Sequence, residues 1–148
     1  MPASVASAID RAIPSVNSAL VAEYRRAHEE LLAAIRAMDG LALGTGPNPL
    51  RVSHTRMRIT RAANESRAAF QKIVLALSQK PSPTIAGKVE VLTQLHAELK
   101  EVARRHMATW THAAAQEDWP GFCKSHAYVA QRWCDTIARE RQLLYPIL

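Results

Sequence analysis

Leu20-Val-Ala-Glu-Tyr24-Arg-Arg-Ala27-His28-Glu-Glu-Leu31-Leu-Ala-Ala-Ile35-Arg-Ala-Met38 sets the period of the whole chain. At 100° per residue, Leu20, Tyr24, Ala27, Leu31, Ile35 and Met38 fall on one stripe. The spacing predicts an amphipathic helix over about residues 15–38. Pro14 precedes it, Ser15 stands at the cap position and Asp39-Gly40 closes it.

Three further segments share this period: about 50–79, 85–116 and 121–145. Their stripes centre on Val52, Ile59, Phe70 and Leu77; on Leu92, Leu99, Met107 and Trp110; and on Phe122, Val129, Trp133 and Leu144. Between them lie the breakers Gly44-Thr45-Gly46-Pro47, Pro81-Ser82-Pro83 with Thr84 as the next cap, and Asp118-Trp119-Pro120-Gly121. Trp119 is read as the anchor of that last turn. Four amphipathic helices on short connections predict an all-α, antiparallel up-down-up-down four-helix bundle over residues 15–148. Residues 1–14 read as a short arm or extra helix.

The chain has 148 residues, 48% hydrophobic and 22% charged, which suits one self-sufficient core and excludes a disordered chain. Five glycines argue against a turn-rich β fold. No apolar run approaches the roughly 20 residues of a membrane span, and the N-terminal stretch does not read as a signal peptide. Cys123 and Cys134, on one side of a helix but roughly 16 Å apart along it, are not a disulfide pair. A reducing, cytoplasmic compartment is expected.

Ionisable groups on apolar faces need partners or a metal. His28 lies beside Tyr24 and Leu31. His96 and His106 flank the third stripe, and His126 and Glu140 sit at the centre of the fourth. His and carboxylate groups converging inside a helical bundle are the ingredients of di-iron proteins. The segment Thr136-Ile-Ala-Arg-Glu140-Arg-Gln-Leu-Leu-Tyr145-Pro146 resembles the last helix of hemerythrin-like, or HHE cation-binding, domains. Glu23-Tyr24-Arg-Arg-Ala-His28-Glu-Glu-Leu-Leu is similar to their first helix, and Leu95-His96-Ala-Glu-Leu99 to their third. The resemblance implies a non-haem iron site with His28, His96 and Glu140 among its ligands.

The departures point elsewhere. The family's last-helix His falls on Thr136. Its second-helix His with a carboxylate four residues on is missing, since His54 is followed by Arg58. Equal helix heights would place His28 and His96 near the middle, His106 and His126 toward the third connection, and Glu140 at the far end. No layer then holds the three or four ligands of a stable transition-metal site. No metal or other cofactor is expected, and the polar groups are read as satisfied core residues.

The formal charge is +6, and all of this excess lies in residues 51–80, which carry seven basic residues and one acid. Arg51, His54, Arg58, Arg61 and Lys72 share one side of the second helix. Such a stripe suits an acidic protein or a polyanion. It lacks the turn and aromatics of a sequence-specific DNA reader. No nucleophile–base pair or phosphate loop is legible. The expectation is a non-enzymatic regulatory or interaction protein whose scaffold outlived its iron. A metal-based oxygen or redox sensor stands as the alternative.

Overall fold

Side-chain caps start the long helices of this computed structural model, which describes residues 16–44, 46–80 and 82–148. Asn17 accepts from the Ala19 amide ahead of α1 (Ser18–Ala42). Asn48 accepts from Arg51 N ahead of α2 (Pro49–Leu77), and Ser82 from Ile85 N ahead of α3 (Pro83–Thr109). Pro49 and Pro83 open their helices, where the missing amide hydrogen is not needed. A short α4 (His112–Glu117) and a long α5 (Trp119–Leu143) follow, then a 3₁₀ turn at Tyr145–Ile147. The described residues contain no strand and no helix long and apolar enough to cross a membrane.

Three boundaries differ from expectation. The first helix runs through Asp39-Gly40 to Ala42, because Leu41 still packs on the core. The expected cap Ser15 and the arm 1–14 lie outside the described residues. Ser82, not Thr84, caps α3. The expected helix 85–116 is two helices. Trp110 leaves helical geometry, and Thr111 restarts it by accepting from Ala114 N. The break frees the Trp110 carbonyl, which takes the Arg56 guanidinium at 2.6 Å. It also leaves Met107, expected inside, 47% exposed.

Contacts fix how the helices pair. Lys72 meets Glu23 at 2.8 Å and Arg58 meets Glu30 at 2.7 Å, so α1 and α2 run in opposite directions. His96 reaches Glu140 and His106 reaches Ser125, which does the same for α3 and α5. His28 with Glu140, and Asp39 with His126, tie α1 to α5.

Two apolar clusters result. One gathers Leu31, Ile35, Met38, Ile59, Phe122 and Ile137; the other gathers Tyr24, Phe70, Ile73, Leu77, Leu92 and Leu144. Between them every long helix contributes polar side chains, among them His28, Ser66, His96 and Glu140.

Gly121 allows the α3–α5 corner to close. Its amide donates to Asp118 Oδ1 at 3.0 Å. A Cβ there would run into the Asp118 carboxylate and come 2.7 Å from Trp110 Cη2. Gly87, inside α3, faces open space. Urea unfolding of Gly121→Ala should show a loss of about 1–3 kcal/mol. Gly87→Ala should gain about 0.5–1 kcal/mol. Equal effects would contradict this packing.

Candidate functional site

Glu140 sits on the inner face of α5, one turn after Ile137 and one before Leu144. That spacing drives its carboxylate into the interior, where it is 1% exposed. His28 on α1, fully buried, brings Nε2 into contact with Glu140 Oε2, off the line of a hydrogen bond. His96 on α3 bonds through Nε2 to Oε1. The Tyr24 hydroxyl, also buried, borders the same carboxylate.

An ionised carboxylate only accepts, so the His96 bond requires a hydrogen on Nε2. On the other side of His28, Nδ1 lies 2.6 Å from the Tyr145 hydroxyl. The Tyr24 ring lies 4.3 Å from the His28 ring, and Phe70 stacks on His96 at 4.2 Å, so both imidazoles are held in place.

Burial pushes the Glu140 carboxyl up, but the close approach of the His28 and His96 imidazoles outweighs it. The carboxyl stays below its ordinary range and ionised. Burial, and then the Glu140 charge, push the Tyr24 hydroxyl far up, so it remains protonated.

The placement of Glu140 corrects the expected heights. His96 and Glu140 lie 22 residues before and after Asp118. Height in an antiparallel pair is counted from the shared connection, not from the centre of each helix. The two therefore meet, and His28 joins them. The structure collects three ligand-type groups in one layer, where two were expected.

These residues do not fit a di-iron centre. The carboxylate is engaged by two imidazoles. Around this layer α2 contributes Ala62, Ala63, Ser66, Arg67, Ala69 and Phe70, none of them a histidine or carboxylate. Thr136, in the position of the family's last-helix His, donates its hydroxyl to Arg132 O at 2.9 Å on its own helix. A void of about 20 Å³ beside Ser66, His96 and Glu140 has room for one water-sized group. Among the described residues no group of three or more His, Cys, Asp and Glu side chains is arranged to hold a metal ion.

The other predicted polar residues form a second pair of contacts nearer the α3–α5 corner. His106 Nδ1 lies 2.7 Å from Ser125 Oγ, and His126 Nε2 lies 2.9 Å from Asp39 Oδ1. Burial, and then the charges of Arg56 and His126, lower the His106 pKa to about 4. Trp119 stacks on Phe122 at 5.3 Å and so anchors the corner, as expected. Cys123 and Cys134 are free thiols.

The basic side of α2 is less free than its sequence implied. Arg58 and Lys72 pair with Glu30 and Glu23 across the seam to α1, while Arg51, His54 and Arg61 are exposed and have no such partner among the described residues. Sequence reasoning missed Tyr145 and Ser66 as members of the polar layer. Tyr145 could have been found from its place five residues after Glu140, and Ser66 from its place on the α2 stripe.

Comparison with family models, with curated proteins and with solved structures finds no match for this chain.

Two acid limbs follow. His106 has a folded pKa of about 4, below its ordinary value of about 6.5. Its stabilisation is full above the unfolded value and is lost as pH falls toward 4. Glu140, held below the carboxylate range, adds a second loss as pH falls through its folded pKa. Unfolding measured from pH 7 to 3 should show both limbs. His106→Asn should flatten the upper one. Glu140→Gln should flatten the lower one while removing about 3 kcal/mol at pH 7.

Proposed function

We propose that this chain is an antiparallel up-down-up-down bundle of hemerythrin-like type whose iron chemistry has been replaced by a metal-free polar layer, and that it acts as a non-enzymatic regulatory or interaction protein. The observation that carries this reading is the Glu140 carboxylate, contacted by one imidazole on each oxygen. A group so engaged keeps the scaffold's ligand residues while using them to join helices. The pairwise directions of the helices support the bundle, and the α2 side chains around the layer support the loss of the second metal.

The hydroxyl that stands beside an imidazole in the polar layer, Tyr145 at His28 Nδ1, meets a fully buried ring, and the void at the layer holds no more than a water-sized group, so chemistry on a bound substrate has little to work with there. Partner recognition would then fall to the outside. Arg51, His54 and Arg61 on α2 form a cationic strip suited to an acidic protein segment or a polyanion. Arg58 and Lys72 contribute less, because Glu30 and Glu23 already offset them.

One observation favours a second reading, a mononuclear non-haem iron sensor. His28, His96 and Glu140 have the composition of a two-histidine, one-carboxylate set. Metal would have to displace both imidazole–carboxylate contacts.

Elemental analysis of protein expressed with added iron separates the two. The proposed function expects far less than one iron per chain and no visible charge-transfer band. Stoichiometric iron bound through His28 and His96 would replace it with the sensor reading. For the partner strip, Arg51→Glu with Arg61→Glu should abolish retention on heparin at low salt. Unchanged retention would remove this strip as the partner surface.

A further inference from the structure

Away from the polar layer, a cavity of about 230 Å³ opens between α2, α3 and α5. Its lining is mostly apolar, with Met38, Ile59, Ala63, Phe122 and Trp133 contributing. Arg56, Arg67, Lys100 and Arg104 also border it, and no Asp or Glu does. Arg104 is offset by Glu101 at 2.7 Å, which leaves the charges of the other three without a carboxylate in the lining.

Arg56 is the most telling of them. It is half-buried, yet its partners are neutral. One nitrogen donates to Trp110 O at 2.6 Å and lies 3.3 Å from Met107 Sδ, and the guanidinium sits 5.3 Å from the Phe122 ring centroid. Its Nε is buried with no hydrogen-bond partner. Among the described residues no carboxylate lies in ion-pair range of Arg56, Arg67 or Lys100. A desolvated cation without a counter-charge is costly to hold, and a bound anion removes that cost. His106 also lines the cavity, and after burial the Arg56 charge is the next cause of its lowered pKa.

Size narrows the class. An apolar cavity of roughly 150 Å³ admits benzene, so this one has room for a ring and a carboxylate. A larger polyanion would find one mostly apolar pocket and only one half-buried cation.

We propose that this cavity binds a small apolar monocarboxylate of about the size of benzoate. Its ring lies against Ile59, Phe122 and Trp133, and its carboxylate pairs with Arg56. Arg67 and Lys100 draw the anion toward the cavity. The site uses neither Glu140 nor His96, so it stands apart from whether the polar layer takes metal.

Calorimetry on the full chain with sodium benzoate tests this, with benzyl alcohol as the uncharged counterpart. The expected result is saturable binding of one benzoate per chain with Kd of about 1 mM or tighter, within what nine heavy atoms deliver. Benzyl alcohol should bind at least about ten-fold more weakly. Arg56→Met should weaken benzoate about ten-fold or more and leave benzyl alcohol unchanged. Should Arg56→Met fail to fold, Arg67→Gln with Lys100→Gln serves instead, and a two-fold or greater loss of benzoate affinity is expected. The proposal is overturned by the absence of saturable benzoate binding or by equal affinity for benzyl alcohol. Benzoate binding unchanged in whichever of these variants folds would overturn it as well.

Discussion

A carboxylate with 1% of its surface exposed must find hydrogen-bond donors inside the protein, and this fold is arranged around that need. Glu140 lies on α5; its hydrogen bond comes from His96 on α3 and its second imidazole contact from His28 on α1. Those three helices are therefore fixed in height relative to one another. A slide of one turn would carry either imidazole roughly 5 Å from its oxygen. The apolar clusters above and below supply most of the burial, but leucines and isoleucines tolerate shifted registers. The polar layer does not, so it selects one alignment of the helices.

The same principle acts outside. Two of the cations on α2 turn to acids on α1, so part of the charge excess stitches the seam between them. Such exposed pairs contribute little stability each. They do settle which side of α2 meets α1, and they leave Arg51, His54 and Arg61 on the exposed side. Arg56 differs from its neighbours. It is drawn inward by the Trp110 carbonyl that the helix break releases, and it brings positive charge to the edge of an apolar cavity.

Much of the fold was legible in the sequence because the period of the apolar residues was unambiguous. Tyr24, Leu31, Ile35 and Met38 are all buried as their spacing required. Prolines located the starts of α2, α3 and α5 to within two residues, although Thr84 was not the cap. Trp110 and Thr111 did not announce a break, since a helical period continues through them; the break comes from tertiary contacts at the corner. The site was half legible. His28, His96 and Glu140 were identified as buried polar groups from their stripes. Their meeting was not, because helix centres were aligned instead of distances from Asp118. The charge stripe on α2 was visible as composition, whereas its pairing with Glu23 and Glu30 depends on the α1–α2 register, which composition does not contain.

The central claim is that Glu140 is satisfied by protein donors and not by metal. Long-range ¹H–¹⁵N spectra of the imidazoles in the full chain, before and after one equivalent of zinc(II), address it directly. The account predicts that His28 and His96 carry hydrogen on Nε2, and that zinc leaves their ¹⁵N shifts in place. Loss of both Nε2 hydrogens on zinc addition, with ¹⁵N shifts moving to those of ligated nitrogen, would contradict it.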